Sequence, residues 1–514
     1  MAKSTPRNFR KWKSRDPPFT DEASSSTHLA ISSDNSQRNH KLWQLLKMLI
    51  DLLQSLQTAL QGPLVRGCIM ILIFLVTLSA TATIYSGNFH KTQRRLRHLK
   101  RLGSVTSNMA DQYDPSFGLA SETEVDGPAR IKAIYIHPVK SCAPVEVDRA
   151  LLTKSGFLYD RCFALATKPT KKSDAAEARW RFISQRTKPA MAQIRTELWL
   201  PHQHSNLNDP LVQSSGCVVV SFDDPSPPSW ADRVETWYDT WDLSARPRLS
   251  FILPLNPDQA EESQPDLTTF GIHSRDAKGI DVGRIPSIAA ALPKLKQFLG
   301  IPEDHHLTIF KCTPDTLTRT NKNLAPLQHI GSPAVHGYTD QQPININSLS
   351  SVHAVSKLLP SENQPLNALR FRANIWITNA PAYEEETWKR YRILPKSRGT
   401  EARARVPPVL SVVCRTSRCT LPNVNPETGI FNADTPAPEK KRGKPQPSTT
   451  LVQHRTVETG NRAALGYLGM HCVPEDRELK EAAEREGGLY VEVGDEIEVL
   501  ERGIHLYGST GDDY

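Results

Sequence analysis

Cysteine is scarce, with 8 among 514 residues, too few for a disulfide-stapled scaffold. No Cys-x-x-Cys pair occurs, which removes the ordinary structural zinc site. Cys414 and Cys419 are spaced like the opening of a plant-type iron–sulfur site, but only Cys472 follows them and the ligand set stays incomplete. No Gly-x-Gly-x-x-Gly follows a strand-like run and no Walker loop is present, so nothing supports nucleotide binding. The net charge of +8 is also less than it looks: residues 1–101 carry +11, which leaves −3 for residues 102–514. The body has no basic footprint for DNA or RNA, and nucleic-acid binding is excluded.

What the N-terminal quarter does contain is a tail, a helix and one uncharged run. Residues 1–40 are rich in Ser, Asn and Pro and read as a disordered tail. Leu42, Leu45, Leu49, Leu52 and Leu56 recur at alternating spacings of three and four, which predicts an amphipathic helix over 41–63, broken at Gly62-Pro63. Gly67 to Gly87 are without charge and would span roughly 31 Å as a helix, so 64–90 is expected to be a single transmembrane anchor. Lys91, Arg94, Arg95, Arg97, Lys100 and Arg101 follow it with no acid among them. By the positive-inside rule they put the C-terminal body in the cytosol, with reduced thiols. This is the pattern of a single-pass protein on a lipid bilayer. Residues 91–128 read as a basic juxtamembrane segment and linker.

The body is expected to be mainly β, of α+β type. Ile131–Ile136, Cys217–Phe222, Leu307–Phe310, Asn374–Ile377 and Val409–Val413 are β-rich runs. Tyr490–Val493 and Glu496–Leu500 flank Gly494-Asp495, which predicts a hairpin. Helices are expected at 286–299, 348–359 and 475–486. The stretches 166–178, 255–267 and 432–450 have no apolar period and read as exposed insertions. Many short strands with few helices point to barrels rather than a doubly wound sheet.

Four clusters could carry chemistry: His137-Pro-Val-Lys140-Ser141-Cys142, Gly156-Phe-Leu-Tyr-Asp160-Arg161, Leu369-Arg370-Phe-Arg372-Ala373-Asn374, and Cys414-Arg-Thr-Ser417-Arg418-Cys419. Each puts cations or hydroxyls at a strand end. Guanidinium forks and a Lys point charge suit phosphate, so convergence of these ends would make a pocket for an anionic cofactor with one thiolate inside it. Taken singly, each cluster is better read as solvated surface or an inert buried thiol.

In this order the clusters resemble the MOSC superfamily, and more closely the mitochondrial amidoxime-reducing component. Further similarities are Ser184-Gln-Arg186-Thr-Lys-Pro189, Tyr383-Glu-Glu-Glu-Thr-Trp388, Val424 to Gly429 and Val493-Gly494-Asp495, with Ala373 standing where the family has proline. The resemblance covers roughly 129–502. It implies a MOSC N-terminal β-barrel domain over 129–275 and a β-barrel-like MOSC domain over 276–505, with the polar insertion 432–450, holding a molybdenum cofactor between them. It makes Cys419 the catalytic thiolate ligand of the metal. It gives Lys140, Ser141, Arg161, Arg372, Ser417 and Arg418 to the pterin and its phosphate, with Ser348 and Asn374 as looser matches. The implied activity is reduction of N-oxygenated compounds with electrons from cytochrome b5 and its NADH-dependent reductase, at the mitochondrial outer membrane or the endoplasmic reticulum. A cofactor-maturation protein passing sulfur and a non-catalytic membrane scaffold are the alternatives. Residues 1–128 are too short for the pyridoxal-phosphate domain of molybdenum cofactor sulfurases, so that cofactor is not expected.

Overall fold

A computed structural model describes residues 43–505 apart from 45, 53, 56–62, 87, 122, 124, 171–178, 243, 258–265, 274, 321–324, 397–404, 433–443 and 459–464. The expected tail over 1–40 lies outside the described residues, as do most of the three expected insertions. The chain divides into two units, Met1–Thr83 and Ile84–Tyr514; the strands all belong to the second.

The uncharged run folds as a helix, Pro63–Ser86. Among the described residues no helix is long and apolar enough to cross a membrane, whose hydrocarbon core is about 30 Å thick. The expectation of a single transmembrane helix is corrected by that finding, and with it the single-pass location with a cytosol-facing body. Nor are residues 91–128 a free linker. Leu96 and Leu99 are buried with Leu211 and Val219, and Leu99–Leu102 pairs with Arg195–Pro201 as the outer strand of a four-stranded sheet.

That sheet continues through Cys217–Asp223 to Arg248–Pro254. Its inner residues Val218, Val220, Phe222, Phe251 and Leu253 pack with Phe163, Leu165 and Ile309, which come from a closed five-stranded barrel. The barrel runs Leu267–Ile272, Arg275–Asp281, His305–Lys311, Phe163–Pro169 and Arg181–Phe182. The alternation of side chains along a strand sends Phe163 and Leu165 to this shared core and Ala164 and Ala166 to the other face, beside Phe270, Phe310 and Tyr338.

The second barrel is built from Ile375–Thr378, Ile344–Ser348, Gly466–Pro474, Val409–Arg418, Trp388–Leu394, Glu496–Arg502 and Arg130–Ile136, and the last of these pairs back onto Ile375–Thr378 to close it. Ile134, Ile344, Ile346, Ile375, Tyr391, Leu410 and Met470 fill its interior. Ala133, Tyr135 and Trp376 face outward and are covered by Leu349, Val352 and Val355 of the helix Leu349–Ser356.

The predicted hairpin around Gly494-Asp495 is not one. Leu489–Glu492 pairs with Arg149–Thr153, whereas Glu496–Arg502 enters the second barrel. The turn is real, but Asp495 ties it as a corner by accepting from the amides of Glu492 (2.9 Å) and Lys396 (3.1 Å). The end of the expected insertion 432–450 is also folded. It runs into the helix Ser448–His454, whose Thr450 and Leu451 are buried against Gly466–Pro474.

Candidate functional site

Three of the expected site residues have left-handed backbone: Ser141 (φ 68°), Arg161 (φ 46°) and Arg372 (φ 52°). None is glycine, and each such residue costs on the order of 1–2 kcal/mol, strain that clusters where geometry serves a ligand. The bends turn their chains at strand ends so that side chains from both barrels meet.

Arg161 is the hub. One guanidinium nitrogen donates to Asp160 and to Asn374 Oδ1 (3.1 Å), the other to the carbonyl of Arg372 (3.0 Å). Asn374 Oδ1 also accepts the Asn345 amide (3.2 Å), and its Nδ2 donates to Tyr135 O (3.2 Å). Arg418 donates to Leu468 O (2.8 Å), Phe371 O (2.8 Å) and Asn345 Oδ1 (3.3 Å). Arg161, Arg372, Asn374 and Arg418 are thus joined through shared partners. Arg372 Nη1 donates to Cys142 O (2.8 Å), and its buried Nη2 has no hydrogen-bond partner.

Lys140 is buried and donates to Tyr338 O (2.8 Å) and to Asp340, which takes up two of its three ammonium protons. Burial pushes Lys140 down to about 8, helped by Arg275 and Arg161 and opposed by Asp340. Burial likewise lowers Arg372 to about 10, with Arg161 repelling it further. Burial works against ionisation of Asp340, yet Lys140 and His273 hold its carboxyl well below the usual range. Asp340 remains 51% exposed between partners that are far less so, Lys140 at 7% and His273 at 14%.

Ser417 lies opposite Tyr467 in the strand Val409–Arg418. Cys419 follows that strand; it is exposed, and its sulfur accepts the Leu421 amide at 3.4 Å. Ser141 offers its carbonyl to Gln185 Nε2 (2.9 Å). Ser348 stands apart from these contacts. It is fully buried, it caps the helix Leu349–Ser356 through Ser350 N (3.2 Å), and its amide faces Glu385 (3.4 Å).

Cations outnumber acids here, with Lys140, Arg161, Arg275, Arg372 and Arg418 against Asp160 and Asp340. Buried charge of one sign calls for a counter-ion. Further polar atoms are buried without hydrogen bonds: both amide atoms of Asn347 and His471 Nδ1. A Cβ on Gly469 would come within 3.1 Å of both Asn347 Cγ and Arg418 Nη2, so these groups adjoin one another. His471 pairs in register with Asn345. Burial first, then the Arg418 charge, lowers His471 to about 3, so it is neutral at pH 7.

Family models match the MOSC N-terminal beta barrel domain over residues 128–223 and the MOSC domain over 333–498. The chain is a MOSC domain-containing protein. MOSC domains belong to molybdenum-cofactor proteins of sulfurase or reductase type; the first match supplies Phe163–Pro169 and Arg181–Phe182 of the first barrel, and the second match holds most strands of the second. The chain matches no curated protein.

The donor set fits such a cofactor. Arg372 Nη2 and the third proton of Lys140 suit a phosphate. Asn347, with a free donor and a free acceptor, suits a heterocycle that offers both. Among the described residues no group of three or more His, Cys, Asp or Glu could hold a metal ion.

Sequence reasoning missed Asp340, Asn345, Asn347, Gln185 and His471. The alternation Ile344-Asn345-Ile346-Asn347 was the available signal, because polar residues on the covered face of a barrel strand need a reason. His471, set inside an apolar strand, was another. Asp340 sits in a polar loop and gave no signal.

Proposed function

We propose that this MOSC protein is a molybdenum-cofactor oxidoreductase that reduces N-hydroxylated compounds, drawing electrons from a separate cytochrome b5-type donor with its NADH-dependent reductase. The observation that carries this reading is the buried cation cluster with a vacant Arg372 nitrogen, with an exposed thiol one residue beyond Arg418 in the chain. The overall change is R–NHOH + 2 e⁻ + 2 H⁺ → R–NH₂ + H₂O. When bound, the cofactor supplies the two-electron exchange and accepts the oxygen.

The chain's own residues do the rest. Cys419, exposed just beyond the strand Val409–Arg418, would be the thiolate ligand. Lys140, Arg161 and Arg372 hold the anionic end, while Asn374 fixes Arg161 and the Arg161–Arg372 carbonyl contact fixes the bend at 372. Ser141, Ser417 and Arg418 shape the wall next to the thiolate. Asp340 neutralises Lys140 until a phosphate takes that place. Ser348 acts through its helix cap rather than by direct contact.

The test is metal and pterin analysis of the full chain produced in a host that makes the cofactor, followed by reduction of benzamidoxime with a cytochrome b5 donor. Near-stoichiometric molybdenum and turnover are expected. Cys419→Ala should lower turnover by more than about 100-fold, beyond the 10–100-fold typical of groups that only orient a ligand. Its thermal midpoint should hold, since the side chain is exposed. Full activity of that variant would remove the thiolate assignment.

A further inference from the structure

The strand that carries Ser417 and Arg418 does not run evenly toward Cys419. Between the pairs Arg415–Met470 and Ser417–Tyr467, the single residue Thr416 stands against Leu468 and Gly469 of the strand Gly466–Pro474. This two-against-one count is a β-bulge, which bends the ladder and re-aims the side chains beside it. Gly469 makes the bulge possible: its φ is 78°, and a Cβ there would come within 2.8 Å of Ile346 O. Arg418 Nε closes the bend by donating to Leu468 O (2.8 Å).

Asn345 bolts this bulge from the neighbouring strand Ile344–Ser348. It is buried, and both ends of its side-chain amide are used: Nδ2 donates to Thr416 Oγ1 (2.5 Å) and Met470 O (3.2 Å), while Oδ1 accepts from Arg418 Nη2 (3.3 Å). Its backbone is tied to the other half of the site. The Asn345 amide donates to Asn374 Oδ1 (3.2 Å), which also takes Arg161, and the Asn345 carbonyl accepts the Asn374 amide (2.8 Å). An apolar side chain would fill this place in the strand without the cost of desolvating an amide.

We propose that Asn345 is a positioning residue: through the bulge at Leu468-Gly469 it sets where Cys419 stands relative to Arg161 and Arg372. The inference rests on the function proposed above and adds what aligns the thiol with the residues for the anionic end. Thr416 and Arg418 lie shortly before Cys419 in the chain, so the bonds from Asn345 to both fix the direction in which the strand ends. The bonds to Asn374 refer that direction to Arg161. A group gripped at both ends needs each grip held to within about 0.5 Å, and buried hydrogen bonds between the two supply that rigidity.

The experiment uses Asn345→Leu and, since that variant loses three bonds inside a barrel, also Thr416→Val, which loses one. In the full chain free of cofactor, hydrogen exchange of the amides at 415–419 should rise about fivefold in Thr416→Val, the weight of one hydrogen bond, and further in Asn345→Leu. The amides at 131–136 of the same barrel should hold. In the metal-loaded chain both variants should keep pterin and molybdenum, because Lys140, Arg161 and Arg372 are untouched. The paramagnetic signal of the partly reduced metal should shift, and kcat should fall about 10–100-fold in Asn345→Leu with KM little changed. A lower thermal midpoint with that signal and kcat unaltered would make Asn345 merely structural and overturn the proposal. So would unchanged exchange at 415–419 in both variants. The expected exchange pattern in a wild-type chain that takes up no molybdenum would overturn the proposed function instead, and sustain Asn345 as the residue that fixes the end of this strand.

Discussion

Asp160 shows how much of the site a single side chain sets. It is 1% exposed; Oδ1 accepts the His137 amide (2.8 Å), and Oδ2 pairs with Arg161. Burial by itself would raise its pKa, but Arg161 and His137 outweigh it and hold the carboxyl at about 2. A depressed carboxyl contributes stability that is present above its unfolded value near 4 and is lost as pH falls toward 2, here on the order of 2 kcal/mol. Asp160→Asn should therefore destabilise the protein at pH 7 by about 3 kcal/mol, because Arg161 is left buried without its counter-charge. It should also flatten the fall in urea midpoint between pH 4 and 2. An acid limb as steep as that of the wild type would refute the assignment. The sequence showed Asp160 beside Arg161, but not that the pair is buried. It also could not show that Arg161 reaches Asn374 and Arg372, more than two hundred residues away, because that contact depends on the closure of two barrels.

At the level of elements, the helix Leu349–Ser356 was legible from its spacing of Leu349, Val352 and Val355, and the turn that secures it was not. Glu385 is fully buried in the short turn Glu384–Thr387 and accepts from Ser351 Oγ (2.8 Å) and, more weakly, the Ser348 amide (3.4 Å). Burial, then the charge of Glu386, pushes its carboxyl up to about 7. A raised acid is neutral in the folded protein, so its contribution is fully present below the unfolded value near 4.5 and is lost as pH rises toward 7. The loss is at most about 3 kcal/mol. Glu385→Gln keeps an acceptor for the Ser351 hydroxyl and cannot ionise. Chemical denaturation should find it more stable than wild type at pH 8 by about 1–3 kcal/mol, with no advantage at pH 4.5. Equal stability at both pH values would mean that the carboxylate is already charged. Local pattern also misled at Gly494-Asp495, where the turn chemistry was right and the pairing wrong. Turn residues specify a reversal of the chain but leave open which sheet each flanking strand joins.

For the whole molecule, the decisive feature is that the second barrel takes one of its strands from the N-terminal half. Arg130–Ile136 lies within the match to the N-terminal barrel domain, yet it closes the second barrel between Ile375–Thr378 and Glu496–Arg502. It brings Ile131, Ala133, Ile134, Tyr135 and Ile136, all buried. His305–Lys311, which lies between the two matches, pairs over its whole length with Phe163–Pro169 in the first barrel. Composition and strand periodicity revealed a barrel protein with two blocks, since each strand's alternation is local. The borrowing was illegible because it rests on long-range pairing. It also determines how the site is made: His137 to Cys142 continue directly from the borrowed strand, so Lys140 and Ser141 reach the cluster only while that strand is in place. Residues 276–505 made alone should accordingly fail to fold. They would expose two unpaired strand edges, which invite aggregation, and would lack about 1.5–3 kcal/mol for each missing large apolar side chain. Co-production with residues 84–275 should restore a soluble complex that resists proteolysis and binds the cofactor. A soluble, cooperatively unfolding 276–505 fragment would show instead that the second barrel closes without its borrowed strand, and the argument that the site is assembled through that strand would fall with it.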